Sequence, residues 1–566
     1  MDIADTTAAF AELDNQLAAV ASCEKVWAAT SVRRRRELLL AVRDLVARDA
    51  ELWAQTAAGL KRLPSRSPLV GEEWTSGPYA LITALTTLAE SAAALEAGRS
   101  PVDEYKFSRA PGGRTAVDIL PHQVFDHLLF SGFSAQVWMP PGVTQQQVRE
   151  QAGLALRDPV QTHGVGVVLG AGNITSIAPL DVLSELYASN RVVVLKLNPV
   201  MDAMLPVYQR VFAPLIELGV LFITTGGADV GQHLVQHHLI DHVHITGSAA
   251  THDAIVWGTD AADVAARKSA HNPVLSKPIT SELGGVSPII VLPGTWSKAD
   301  LRFQAEHVAT MRLHNNGYNC IAGQVVLMAE SWPQKEEFVE QIRLALRRTP
   351  DRDDYYPGSG RRVQAARSAY PEAETISGVT LINDPADTEY LRQQETFAPV
   401  LGIIELPGAD FLQTAVRSAN DDFVGTLGVN IIAHPRTLAA LGDRFENALA
   451  ELRYGCIAVN AWTGVGFLNA AAAWGAFPGH TLADVQSGIG AVHNALLLKD
   501  PERTVVRGPF RPSPRSILQG EWSISPRPPW FVTNKTAART GELLTAFAAS
   551  PSWAKLPGIF ASALRG

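Results

Sequence analysis

A cysteine and a glutamate, 38 residues apart, are the side chains of this 566-residue sequence whose type and setting best suit chemistry. Cys320 lies in the run NNGYNCIAG and Glu282 in SELGG. Amide and small residues make a polar turn around the cysteine, while two glycines after the glutamate mark a strand ending in a tight turn. A cysteine is a candidate covalent nucleophile, and a carboxylate within reach of it is a candidate base. The interval has room for one strand and one helix, enough chain to bring the pair face to face. Most single cysteines are buried and inert, which suits Cys456 in the apolar run GCIAVN. Cys320 differs, because Asn315, Asn316, Tyr318 and Asn319 surround it with polar groups.

The elements that must position this pair show in the hydrophobic patterning. GVGVVLG, RVVVLKLNP, VLFITTGG and HVHITGS read as strands, separated by helical stretches such as NITSIAPLDVLSELYASN and DVGQHLVQHHL. This βαβ rhythm predicts an α/β protein with a Rossmann-like, doubly wound parallel sheet, whose ligands gather outside the carboxyl ends of the strands. Gly226, Gly227 and Gly231 follow one strand and open a helix, so the backbone there can approach a phosphate closely. Thr246, Gly247 and Ser248 follow the next strand. Lys196 ends VVVLK at the edge where a ligand would lie. After SELGG, VSPIIVL starts a second alternating segment.

The expected division places a helical preamble and a dinucleotide-binding domain in residues 1–283, with its sheet starting near 160. A second α/β domain carrying the cysteine follows in 284–475, and a return segment with an extended tail in 476–566, a candidate for oligomerisation. Residues 101–145, rich in Gly and Pro punctuation, read as irregular. The crevice between the two domains is the expected place for a site.

Composition excludes several classes. Hydrophobic residues make up 46% and charged residues 18%, as in a globular protein large enough for more than one core. The net charge of −8 provides no basic field for nucleic acid or an anionic membrane. The run Arg33 to Arg36 precedes a helical pattern and reads as a solvated helix face. Three cysteines, an odd number, argue against a disulfide framework and for a reducing cytoplasm. The amino terminus is acidic without an apolar core, so no secretory signal is expected, and no apolar run approaches the ~18 residues of a membrane span.

In their order, GVGVVLGAGN, VVVLKLNP, ITGS, SELGG, GYNC, ETFAPV and QSGIG resemble runs of the aldehyde dehydrogenase superfamily over most of residues 160–490. The resemblance implies NAD(P)-dependent oxidation of an aldehyde to a carboxylic acid. Cys320 would form a thiohemiacetal and then a thioester, Glu282 would activate the hydrolytic water, and Asn173 would donate to the oxyanion together with the Cys320 backbone N–H. It also implies cofactor contacts for Lys196 at the ribose, Gly226 in the glycine loop, Thr246, Gly247 and Ser248 at the pyrophosphate, the Leu283 carbonyl at the carboxamide, and Glu395 with Phe397 at the nicotinamide ribose. A homodimer or homotetramer is the assembly it suggests.

Five positions depart from the family pattern. Tyr318 stands for a Gln, Ala171 and Gly172 for Pro and Trp before Asn173, and His252 for a Gly. Pro199 replaces the acid that would bind the ribose hydroxyls and repel a 2′-phosphate, so NAD and NADP both stay open. Two other functions compete: a CoA-acylating dehydrogenase or acyl reductase, which Glu282 weighs against, and a non-catalytic scaffold of the same fold. A metal at His233, His237, His238, His242 and His244 is a further rival. Because the run lacks a nearby Cys or Glu ligand, no metal is expected.

Overall fold

The structure, a computed structural model, describes residues 3–566, with side chains from Phe10 onward. Five parallel strands form the smaller sheet: Val165–Leu169, Val192–Lys196, Leu221–Thr224, His242–Gly247 and Ile279–Leu283. Their order across the sheet is fifth, fourth, first, second, third, the doubly wound arrangement that the βαβ rhythm predicts. A short strand, Gly488–Ile489, adds antiparallel beside Ile279–Leu283. The winding reverses between Val165–Leu169 and His242–Gly247, so the loops after these two strands splay apart and leave a crevice. Val192–Lys196 is buried along its whole length, as a strand covered on both faces must be.

A larger sheet of eleven strands carries the second half of the chain. Its parallel centre runs Arg503–Arg507, Cys456–Val459, Gly428–Ile432, Ile289–Val291, Val325–Ala329, Val400–Leu406 and Val379–Asn383. Here the structure departs from the expected division in two ways. Residues 101–145 are not irregular: Lys106–Ala110, Arg114–Leu120 and Ser134–Trp138 form antiparallel strands at one end of this larger sheet, away from the dinucleotide-type sheet. Alternation is weak in them, and Pro121 and the glycine turn Gly112–Gly113 interrupt the pattern. Second, Arg503–Arg507 lies between Cys456–Val459 and Ser134–Trp138, so the segment after 475 supplies an interior strand. The Arg114–Glu502 ion pair, at 2.6 Å, ties the two additions together.

The remaining tail folds back onto its own chain. Helix Ala537–Ala549 lies against the short helix Val70–Trp74 so closely that a Cβ on Gly71 would sit 2.4 Å from the Ala537 carbonyl carbon. The arginine run is also more than a solvated face. Arg33 and Arg34 pair with Glu37, and Arg36 with Glu96, but Arg35 is buried, stacked on Trp27, and donates to the Trp27 and Thr30 carbonyls. Among the described residues, no helix is long and apolar enough to cross a membrane.

Ending the chain at Lys499 would strip the partner from two strands in the middle of the large sheet. The expected result is an aggregating product without a cooperative thermal transition by circular dichroism, whereas the full chain melts cooperatively.

Candidate active site

Glu282 is the penultimate residue of Ile279–Leu283, at the carboxyl end of the smaller sheet, and it is 1% exposed. The glycines that follow it are fixed by close approach. A Cβ on Gly284 would fall 2.0 Å from the Glu395 carboxylate, and one on Gly285 2.9 Å from the Gly425 Cα. Gly488 of QSGIG is constrained from the other side: its Cβ would sit 2.0 Å from the Ser281 carbonyl oxygen. SELGG and QSGIG are therefore two halves of one backbone contact around Glu282. Ser487 completes it, its hydroxyl donating to the Gly284 carbonyl and its carbonyl accepting from the Leu283 N–H.

The cysteine arrives on a turn of unusual hand. Asn315, Asn316 and Gly317 all have positive φ, +53°, +55° and +78°, a left-handed turn that Asn and Gly tolerate best. Buried groups hold the turn in place. Glu72 accepts from the Asn315 N–H at 3.0 Å and is itself clamped by Arg352 in two contacts of 3.1 and 2.7 Å. The buried Arg312 guanidinium donates to the carbonyls of Gly317, Ala322 and Ala398, stitching the cysteine loop to the segment that carries Thr396 and Phe397. Asn173 joins from the first sheet strand: its amide donates to the Tyr318 carbonyl at 2.9 Å, and its carbonyl accepts from the Asn315 amide at 3.1 Å. An amide nitrogen has two N–H donors, which leaves Asn173 one for a substrate oxygen.

With both ends held, the Cys320 thiol donates to Glu282 Oε1 at 3.0 Å. Burial pushes the thiol well above its ordinary pKa, reinforced by the charge of Glu282 and its hydrogen bond. Burial also raises the Glu282 carboxyl, partly offset by His493, by the thiol and by the Trp474 indole. Glu395, raised to about 8 by burial and only partly relieved by Arg312, lies beside Gly284 and Gly285. The pocket thus stores the thiol proton on sulfur, with an acceptor already in contact.

A cavity of about 650 Å³ opens at the crevice of the smaller sheet. Lys196, Thr246, Gly247 and Ser248 line it, with Gly227 and Gly231 from the glycine loop. Gly226 does not line it; at φ +138° it makes the turn, and a Cβ there would meet Val230 at 2.5 Å. Ser248 caps the helix Ala249–Trp257 by accepting from the Thr251 N–H. Leu283, Glu395 and Phe397 are not part of the cavity lining but sit with the Cys320–Glu282 pair. Tyr356 joins the regions, since it lines the cavity and packs on Phe397 at 4.9 Å and on Tyr318 at 5.4 Å. Tyr318 therefore serves as a packing link; its hydroxyl donates to Asp354 at 2.6 Å.

The histidine run divides in two. His233 and His237 meet Asp14 of the first helix at 2.6 and 3.5 Å, a carboxylate 219 residues from His233 that local spacing could not reveal. The Leu239 N–H donates to His237 Nδ1, which puts that ring's proton on Nε2 facing Asp14. His237 is also the residue capping the helix Ala228–Gln236, and not a member of its face. His242 and His244 point into the protein interior, where Glu185 and Asp181 receive them at 3.2 and 3.5 Å. His252 is fully buried in the helix Ala249–Trp257.

Residues 139–355 match the model of the aldehyde dehydrogenase family. A Caulobacter vibrioides protein named "Probable coniferyl aldehyde dehydrogenase" is 27% identical over 269 residues, covering 43% of this chain and 51% of the relative. D-glyceraldehyde dehydrogenase (NADP(+)) of Thermoplasma acidophilum is 24% identical over 271 residues, covering 43% and 50%. The chain thus spans about half the length of these curated relatives. In fold, the likeness is longer. Aldehyde dehydrogenase C of Pseudomonas syringae, solved with NAD+ and octanal, superposes with a TM-score of 0.58 at 19% identity, over 89% of this chain and 90% of that one.

Replacing Arg352 by Met strands the buried Glu72 charge and loosens the Asn315 turn. A loss of about 3–5 kcal/mol in urea unfolding is expected. The raised carboxyls predict a sign for pH dependence as well. A native state that keeps a proton the unfolded chain has lost becomes less stable as pH rises, in the case of Glu395 from the ordinary carboxyl range up to about 8. Melting temperature should fall between pH 5 and pH 9, and Glu395→Gln should remove part of that slope.

Proposed function

Because residues 139–355 match the aldehyde dehydrogenase family model and the fold is that of solved aldehyde dehydrogenases, we propose that the chain oxidises an aldehyde to a carboxylic acid with NAD or NADP, using Cys320 as nucleophile and Glu282 as base. The observation that carries this reading is the 3.0 Å hydrogen bond from the thiol to Glu282 Oε1. As sulfur attacks the aldehyde carbon, its proton passes along that bond to the carboxylate, and a thiohemiacetal forms on Cys320. The remaining N–H of Asn173 and the Cys320 backbone N–H are the donors nearest to hand for the developing oxyanion.

The cavity fits a dinucleotide. Its volume lies within the roughly 300–1,000 Å³ of cofactor and ligand sites, and it opens at the switch point of a doubly wound sheet. Lys196, Thr246, Gly247, Ser248 and the Gly227 loop would hold the ribose and phosphates, with Glu395, Phe397 and Leu283 at the nicotinamide end. A bound nicotinamide supplies the hydride acceptor that turns the thiohemiacetal into a thioester. Pro199 stands where a ribose-binding acid would be, which supports use of either nucleotide, while Asp202 and Asp229 are the carboxylates whose charge acts on Lys196. Glu282, deprotonated again, then draws a proton from water as the oxygen adds to the thioester carbon, and the acid departs from sulfur. Assembly as a homodimer or homotetramer, in a reducing compartment that keeps all three cysteines free, belongs to the same proposal.

The deciding experiment follows reduced nicotinamide in rapid mixing with aliphatic and aromatic aldehydes, in the absence of CoA. The wild type is expected to give a burst of about one equivalent per site and then steady turnover. Cys320→Ala should lose both, and Glu282→Gln should lose steady turnover by about 10²–10⁴-fold. Product formation that requires CoA would establish the acylating reaction instead, and a chain that forms no acyl adduct at Cys320 would be a scaffold.

A further inference from the structure

Resting on that reading, we propose that His493, held by Asp181, is the residue that takes the proton from Glu282 and passes it out of the active site. The need for such a residue follows from the chemistry. Glu282 ends the acylation half carrying the thiol proton, and it can act as a base toward water only after that proton has left. The carboxyl is buried, and its Oε2 oxygen has no hydrogen-bond partner.

The face of the smaller sheet beside Glu282 provides the acceptor. Adjacent parallel strands place Thr246 opposite Glu282 and His244 opposite Thr280, all on one face. The helical segments Ile177–Leu183 and Ser184–Ala188 cover that face and present Asp181 and Glu185 to it, four residues apart. Asp181 is fully buried. It accepts from the Thr246 hydroxyl at 3.0 Å and contacts His493 Nε2 at 3.0 Å and His244 Nε2 at 3.5 Å. These partners keep its pKa low despite burial, with His244 the leading one, so it is a carboxylate. A carboxylate in contact with His493 Nε2 puts the imidazole proton on that nitrogen and leaves Nδ1 with a free lone pair.

His493 Nδ1 and Glu282 Oε2 are both buried and make no hydrogen bond within normal range. Trp474 and His493 are cross-strand partners on the small ribbon that runs past Glu282. His493 lies near enough to Glu282 to stabilise its charge, although the two side chains share no direct hydrogen bond. A proton from Glu282 Oε2 passes through one bridging water to Nδ1, giving an imidazolium that Asp181 stabilises across its Nε2–H, and Glu282 returns to the carboxylate. The exit is at hand. A narrow cavity of about 50 Å³, lined by His493, Trp474, Phe467 and Asn494, reaches the imidazole. The imidazolium loses its Nδ1 proton there and resets. The groups that bear on His493 are Asp181 in direct contact, Glu282 through its charge, and His244 with Glu185 behind Asp181.

This assignment separates His493 from the acylation step, which its test exploits. In His493→Gln and in the isosteric Asp181→Asn, the burst of reduced nicotinamide should keep its amplitude, while steady turnover falls at least about tenfold. In His493→Ala, added imidazole should restore part of the lost turnover and no part of the burst, a response that a structural role would not give. Folded variants with unchanged steady turnover and no imidazole response would overturn the proposal while leaving the Cys320–Glu282 reading intact. A wild type that forms no acyl adduct at Cys320 would overturn both.

Discussion

A neutral, partly buried thiol held against a buried carboxylate is the arrangement around which this molecule is organised. In water neither group needs a partner. In the interior each would cost several kcal/mol if left unpaired, and together they share one proton. The pair exists only where two separately folded sheets present their strand ends to one another. Glu282 comes from the last strand of the smaller sheet and Cys320 from a turn that leads into the larger one. Gly284, Gly285 and Gly488 allow the backbones to close to contact distance, and any side chain at these positions would push the two halves apart.

Ion pairs distant from the chemistry carry the burden of holding that geometry. Three consecutive left-handed residues are an unfavourable way to bring a cysteine to a carboxylate, and the turn persists because Glu72, Arg352 and Arg312 over-determine it. The buried pairs Glu72–Arg352 and Lys61–Glu73 lie on or beside the helix Val70–Trp74, the same helix on which the tail helix Ala537–Ala549 rests. The far end of the chain is in this way mechanically connected to the nucleophile.

Much of this was legible in residue order, and the reasons for the exceptions are physical. The doubly wound sheet showed through because its strands are buried on both faces and read as apolar runs separated by long helical patterns. Lys196 and Glu282 are read from the ends of such strands and Thr246–Ser248 from the end of another, whereas Cys320 is marked by the polar turn around it. The three strands between Lys106 and Trp138 did not, being short, half-exposed and interrupted by glycine and proline turns. Asp14 and Asp181 were equally hidden, for their significance lies in partners 219 and 312 residues away. Among the three neighbouring glycines, sequence does not distinguish Gly226, which makes the turn, from Gly227 and Gly231, which face the cavity.

The interior position of Arg503–Arg507 bears on how the chain is made. Ser134–Trp138 leaves the ribosome more than three hundred residues before the strand that will join it to the rest of its sheet. The smaller sheet needs only residues up to about 283 for its five parallel strands and so can form early in synthesis, whereas the larger one must wait until Arg503–Arg507 has been made. A nascent chain stalled anywhere in that interval exposes two open strand edges, which makes it a natural client for a chaperone.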